Sequence, residues 1–277
     1  MTTTITSPWE SGKHRLIILF LPILLLLGGC ATSTKDFESG VIPEYAVVDD
    51  ETVNENRRAL VQMMEQQDLK LVQSGPHYQR VKKIIDRLSV AANVEQELDV
   101  YTVDAGEDVN AFAMGGNTIV VYDELLNRLP KEEELAVVLG HEMAHILGQH
   151  NADNTERKRA AGWGIAASVI NVAVSIGTGS SALGDLVGGS TEIVGAGVVR
   201  SYGRAMEHEA DHIGMLLMAK AGYDPAVAIT VWDKADEVLG ANNGPSFFSS
   251  HPSHGNRKER LERDYILALP IYEDAVN

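Results

Sequence analysis

A single cysteine, Cys30, stands in the 277 residues of this chain, so no intramolecular disulfide can form and a stapled scaffold is excluded. Positive charge is also scarce. Lys plus Arg number 23 against 39 Asp plus Glu, for a formal net charge of -16, and a surface of that sign repels phosphate backbones. Nucleic acid is therefore not an expected partner. No internal repeat is visible, which argues against a solenoid or a tandem helical array. No apolar run reaches the roughly 20 residues of a helical membrane span. What is present in quantity is apolar surface, 44% of residues, enough to bury a real core in one domain.

A basic cluster, Lys13, His14 and Arg15, precedes an almost unbroken apolar run from Leu16 to Leu27. That run is too short for a comfortable span and the right size for a signal-peptide core. "LGGC", Leu27 to Cys30, follows and resembles the lipobox of bacterial lipoproteins, in which the cysteine is lipidated and begins the mature chain. The alternative is an uncleaved anchor helix. Ala31 after the cysteine resembles the pattern that sorts lipoproteins to the outer membrane of a Gram-negative cell. Residues 1–29 are thus expected to be a lipoprotein signal peptide. Residues 30–56, polar and broken by Gly40 and Pro43, are expected to be a lipid-anchored tether, and 57–277 the folded body.

Within the body, helical spacing of apolar residues predicts amphipathic helices over 57–72 and 78–93, separated by Ser74-Gly75-Pro76. "LDVYTVDA" (98–105) alternates like a strand, and "NAFAMGGNTIVVYDELL" (110–126) places two strand-like runs around Gly115-Gly116-Asn117, a hairpin signal. Pro130 and three glutamates then open a helix. Residues 160–199, rich in Gly, Ala, Ser and Val, are expected to form one or two small-residue helices, packed as a pair or serving as a lid. A further helix ends at Gly222, Asp224 caps the next, and a last helix follows "HPSHGNR" (251–257). The fold class expected is α+β, mostly helical, with a small sheet.

The helix after Pro130 carries "HEMAHILGQH". Four residues apart, His141 and His145 are about 40° apart around the helix axis, so both imidazoles can share one tetrahedral ion. Glu142 stands beside them, placed to take a proton from water at the ion. A third histidine ligand in the HExxHxxGxxH pattern would fall at position 151, which is asparagine. His150 comes one residue early and, on a continuing helix, lies about 180° from His141. It is expected to face away from the ion and act as a cation at the helix C-terminus. The third ligand must come from elsewhere, and "EHEAD" (207–211) is the best candidate. Glu207 and Asp211 share a face, so one carboxylate can bind the ion while the other holds a ligand histidine by its second nitrogen. Glu209 lies about 200° from Glu207 and cannot substitute as ligand.

HExxH at 141–145, ExxxD at 207–211, Arg204 just before it, "NAFA" at 110–113 and "HPSHGNR" together resemble the membrane-associated zinc endopeptidases of the HtpX and CaaX-prenyl-protease type, which are gluzincins. The resemblance implies one zinc per chain held by His141, His145 and Glu207, with Glu142 as general base and Asp211 and Arg204 in support. His251 or Arg257 would supply a donor for the developing oxyanion. The resemblance also suggests a resting state in which His251 approaches the zinc and excludes water. Asn110, Ala111, Phe112 and Ala113 form either an exposed sheet edge to which a substrate backbone adds, or an ordinary paired strand. The lipid-anchored plan looks like the periplasmic lipoprotein branch of the BepA and LoiP types. No tetratricopeptide array is visible, so partners recognised by such repeats are not carried over. The substrates implied are unfolded or misassembled envelope proteins. A latched or non-proteolytic envelope chaperone, or a zinc hydrolase of cell-wall peptides, would use the same residues.

Overall fold

The computed structural model describes residues 40–150, 202–234 and 256–277, the backbone of 191–194 and 197–200, and residues 237, 239, 247 and 251. All of them belong to one compact unit, Asp36–Asn277. The apolar run at 16–27 and Cys30 lie outside the described residues, as does 160–190.

Helix α1, Asp50–Gln66, starts seven residues before the expected Arg57. The cause is Asp49, whose carboxylate accepts from Thr52 N at 3.0 Å and Thr52 Oγ1 at 2.7 Å. The segment before it is fastened to the body: Gln96 accepts from Val48 N and Tyr45 Oη and donates to Val48 O, while Ile42 and Tyr45 pack on the core. Helix α2, Gly75–Ala91, has Pro76 in its first turn, as the sequence suggests.

Strands β1 (Asp99–Val103), β2 (Ala111–Met114) and β3 (Thr118–Tyr122) form one sheet in the order β1-β3-β2. The pair β1 and β3 is parallel, and β2 and β3 form the expected hairpin. Its turn holds Gly115 at φ 62° and Gly116 at φ 81°, a region that L side chains avoid. Alternation sorts the side chains: Val100, Ala111, Ala113, Ile119 and Val121 face the main core, whereas Tyr101, Val103, Phe112, Val120 and Tyr122 face α1 through Leu60 and Met64.

Short helix α3 (Asp123–Arg128) leads to α4 (Glu132–Leu147), which carries the HExxH motif and is buried from Leu135 onward. Strands β4 (Thr191–Val194) and β5 (Gly197–Arg200) pair antiparallel. This corrects the helical expectation for the end of the 160–199 stretch, where the β-branched residues Thr191, Ile193, Val194, Val198 and Val199 favour strands. Among the described residues, helices α5 (Arg204–Lys220), α6 (Ala226–Asp233) and α7 (Arg257–Val276) follow. Gly222, at φ 74°, ends α5 as expected, with Tyr223 N bonded to Met218 O and Gly222 N to Ala219 O. Asp224 accepts from Ala226 N at 2.9 Å at the start of α6.

Helices α4 and α5 pack closely, backbone against backbone, at Gly140 and Gly214. A Cβ added to Gly214 would lie 3.0 Å from the Gly140 carbonyl carbon and from His141 N, and one on Gly140 would lie 3.2 Å from Gly214 O. Backbone cannot step aside as a side chain can. Gly214→Ala is therefore expected to lower stability by about 1–3 kcal/mol in chemical denaturation, more than the roughly 0.5–1 kcal/mol that alanine gains inside a helix. A variant as stable as the parent would show that the two helices part freely.

Candidate metal centre

His141 and His145, one turn apart on α4, are buried and bring their Nε2 atoms to 3.1 Å of each other. Glu207, in the first turn of α5, reaches the same point. Its Oε2 is 3.4 Å from His141 Nε2 and its Oε1 3.5 Å from His145 Nε2. His251 adds Nδ1 at 3.2 Å from both His141 Nε2 and Glu207 Oε1. A tetrahedron around zinc, with bonds of about 2.0–2.1 Å, has edges of about 3.3 Å. Five separations among these donors are 3.1–3.5 Å, close to such an edge, drawing on both oxygens of Glu207, and one ligand atom from each of the four residues lies within 4.8 Å of every other.

The chemistry of the donors fits an ion as well. Glu207 Oε2, Glu142 Oε1 and His251 Nε2 are buried without hydrogen-bond partners. Glu142 Oε1 and His251 Nε2 stand 3.2 Å apart, yet lack hydrogen-bond alignment. Burial alone would lower His141, but Asp211 and Glu207 beside it raise it to about 9. Burial takes His145 well below the ordinary imidazole value. Burial would raise Glu207, but His251 and the bonds with His141 and His145 hold it well below the carboxylate range. The cluster thus calls for positive charge among its nitrogens, and a divalent cation meets lone pairs where protons would crowd.

The two histidines of α4 are braced from behind. Asp211 Oδ1 lies 3.0 Å from His141 Nδ1 and accepts from Arg257 Nη2 at 2.5 Å. Burial would raise Asp211, but Arg257 and His141 hold it low. The Arg257 guanidinium stacks on Trp232, 3.5 Å from the ring centroid. Arg257, which sequence reading offered for the oxyanion, thus commits Nη2 to Asp211. Arg204, the first residue of α5, is exposed. Tyr202 stacks on the His145 ring at 3.7 Å between centroids.

His150 departs from expectation. It is buried and meets His145, Nδ1 to Nδ1, at 2.9 Å. The premise of a continuing helix fails, because α4 ends at Leu147 and Gln149 takes φ 55°. Gln149 N bonds Ile146 O and His150 N bonds His145 O, the same closure that Gly222 makes at the end of α5. A glycine at 149 would have signalled that turn; glutamine hides it.

Strand β2 is at the edge of the sheet, and Asn110, Ala111, Phe112 and Ala113 are all buried. Since Tyr122 N bonds Asn110 O, alternation turns the N–H and C=O of Ala111 and Ala113 away from β3. Ala113 N donates to Glu142 Oε2 at 2.9 Å, and Tyr202 Oη lies 3.5 Å from Ala113 O. Phe112 points its ring to the α1 side, away from the cluster. Burial raises Glu142 above the usual carboxylate value.

Among known proteins, the mitochondrial metalloendopeptidase OMA1 of Arabidopsis thaliana is 34% identical over 168 residues, which is 60% of this chain and 32% of that protein. Its namesake in Schizosaccharomyces pombe is 32% identical over 185 residues, 66% of this chain and 50% of that protein. The beta-barrel assembly-enhancing protease of Escherichia coli (strain K12) is 28% identical over 151 residues, 53% of this chain and 30% of that protein. The chain thus spans half or less of the length of each of these relatives. The description "Peptidase family M48" matches residues 77–264, more than half of the chain and the whole of both motif helices from His141 to Asp211. This chain belongs to peptidase family M48.

Proposed function

We propose that this chain is a zinc-dependent endopeptidase in which His141, His145 and Glu207 hold the ion and Glu142 carries the proton. The observation that carries the reading is the convergence of three donors from α4 and α5 at 3.1–3.5 Å with Glu142 alongside. A bound zinc ion supplies Lewis acidity at this point, polarising a carbonyl and acidifying water. The protein does the rest. Ala113 N–H holds Glu142 Oε2, which leaves Oε1 to accept a proton from the attacking water and return it to the departing amine. Asp211 keeps the proton of His141 on Nδ1, so that Nε2 presents a lone pair to the ion.

The outward N–H and C=O of Ala111 suit an extended peptide laid along β2, a mode that reads main chain more than side chains, while those of Ala113 are turned to Glu142 and Tyr202. Such recognition fits substrates that are unfolded or misassembled. We place them in the cell envelope, with the chain held by lipid on Cys30 at the periplasmic face of the outer membrane. The support is the basic and apolar leader ending in "LGGC", together with the similarity to a bacterial beta-barrel assembly-enhancing protease. No helix among the described residues is long and apolar enough to cross a membrane.

One observation favours a second, latched reading. His251 Nδ1 stands 3.2 Å from both His141 Nε2 and Glu207 Oε1, so it would compete for the position that a hydrolytic zinc keeps open for water. In that form the cleft grips clients and hydrolysis waits on His251 moving out, after which its ring can serve as an oxyanion donor.

Four measurements test these points. Purified protein is expected to contain about one zinc by elemental analysis, and Glu207→Ala to lose most of it; undiminished zinc in that variant removes Glu207 from the ligand set. Glu142→Gln is expected to keep zinc and to cleave an unfolded protein such as casein about 10²–10⁴-fold more slowly. If Glu142→Gln rescues every defect of a deletion strain, the chaperone reading wins. Labelled palmitate fed to cells is expected to enter the wild-type protein and not Cys30→Ser, and absence of label from the wild type would favour the uncleaved anchor helix.

A further inference from the structure

The turn that ends α4 places an imidazole behind His145, α5 sets a carboxylate behind that imidazole, and neither is accounted for by the ligand set. His150 Nδ1 is 2.9 Å from His145 Nδ1, and His150 Nε2 is 3.2 Å from Glu209 Oε2. The His150 side chain is 1% exposed and that of Glu209 28%, so the arrangement runs from the buried cluster toward the surface. The backbone commits to it: Gln149 takes the left-handed φ of 55°, and a Cβ on Gly148 would lie 2.6 Å from His150 Nε2. Room for the ring exists because residue 148 is glycine.

Proton placement follows from the outer end. An ionised carboxylate only accepts, so His150 Nε2 must donate to Glu209. With a single proton shared along the contact of the two Nδ1 atoms, the chain is completed when His145 Nδ1–H donates to His150 Nδ1. That leaves His145 Nε2 without a proton, and this atom faces His141 Nε2 at 3.1 Å and Glu207 Oε1 at 3.5 Å. The reverse assignment would aim an N–H into the cluster and leave Glu209 facing a lone pair. His141 is fixed in the same sense by Asp211.

We propose that His150 and Glu209 are positioning residues for His145, a relay from the Gln149 turn and from α5 that locks His145 in the tautomer able to bind the metal ion. The relay rests on the reading of His141, His145 and Glu207 as zinc ligands. It assigns work to two residues whose positions on ideal helices had put both away from the ion. The pair touches neither substrate nor reacting atoms, and its effect is carried by the His145 ring alone. In other metal sites, loss of such an outer partner weakens metal binding about 10–100-fold.

The test is the zinc dissociation constant of the purified protein, measured by competition with a chromophoric chelator, together with the visible absorption bands of the cobalt(II)-substituted form. His150→Phe keeps a ring of similar shape and removes both nitrogens. Zinc binding is expected to weaken about 10–100-fold and the cobalt bands to shift. Glu209→Ala, a partly exposed position where folding is not at stake, is expected to weaken binding by a smaller factor. In the double variant Glu209→Ala should add nothing to His150→Phe, because its effect passes through the lost ring; a purely structural role would leave the two losses additive. Wild-type affinity and an unshifted cobalt spectrum in both single variants would overturn the relay, as would full additivity. Wild-type protein that binds no zinc at all would bring down the ligand reading first, and the relay with it.

Discussion

The contact of Gly140 with Gly214 sets the distance between α4 and α5, and everything at the cluster depends on that distance. Two imidazoles come from one helix and a carboxylate from the other, separated by more than sixty residues of chain. An ion with bonds of about 2 Å tolerates little error in such a meeting. Had a methyl group stood at either crossing position, the helices would have to shift by some tenths of an ångström. Main chain against main chain is a stiff spacer, since neither side has rotamers with which to adjust. The surrounding core can vary in side-chain volume while this spacing stays fixed.

Around that crossing the charges are arranged in opposed pairs. Asp211 is buried, and it stays ionised because Arg257 and His141 lie against it. Arg257 is in turn held flat on Trp232. Removing one member of such a buried set costs more than the pair contributes, because the survivor is left charged and dry. Glu142 sits at the other extreme. Burial raises it toward the protonated form, and a single backbone N–H from β2 anchors it. One site thus holds a carboxylate kept ready to take a proton beside carboxylates kept from taking one.

The facing of His141 with His145 and of Glu207 with Asp211 was legible in the sequence because it depends on helix periodicity, and α4 and α5 are regular through these four residues. The hairpin at Gly115 and Gly116 was legible for a related reason, since glycine marks positive φ. Where a backbone feature lacked its usual residue, reading failed. Gln149 adopts the conformation that Gly222 adopts at the next helix end, and nothing in "LGQH" announces it, so His150 was extrapolated along a helix that had already stopped. Arg257 was offered to the substrate side because its chemistry suits an oxyanion; only three-dimensional packing shows Asp211 and Trp232 claiming it first. The start of α1 was missed because Asp49 lies in a stretch that reads as polar linker, and the strands at 191–200 because small residues around them dilute the β-branched signal.

The sheet is buried on both faces, and it separates two apolar clusters of very different size. Every candidate ligand stands on the larger side. Among the described residues the smaller cluster takes much of its cover from α1, through Leu60, Met63 and Met64, with Leu69 and Leu71 beside them, and Asn56 is bonded to Gly115 O and Arg57 to Asp99 at the rim. Amide exchange in α1 can therefore proceed through a local opening, cheaper than global unfolding, in which that helix lifts while the zinc-binding half stays whole. What such an opening bares is the aromatic back of the strands, Tyr101, Phe112 and Tyr122, a sticky surface on the side of the molecule away from its chemistry.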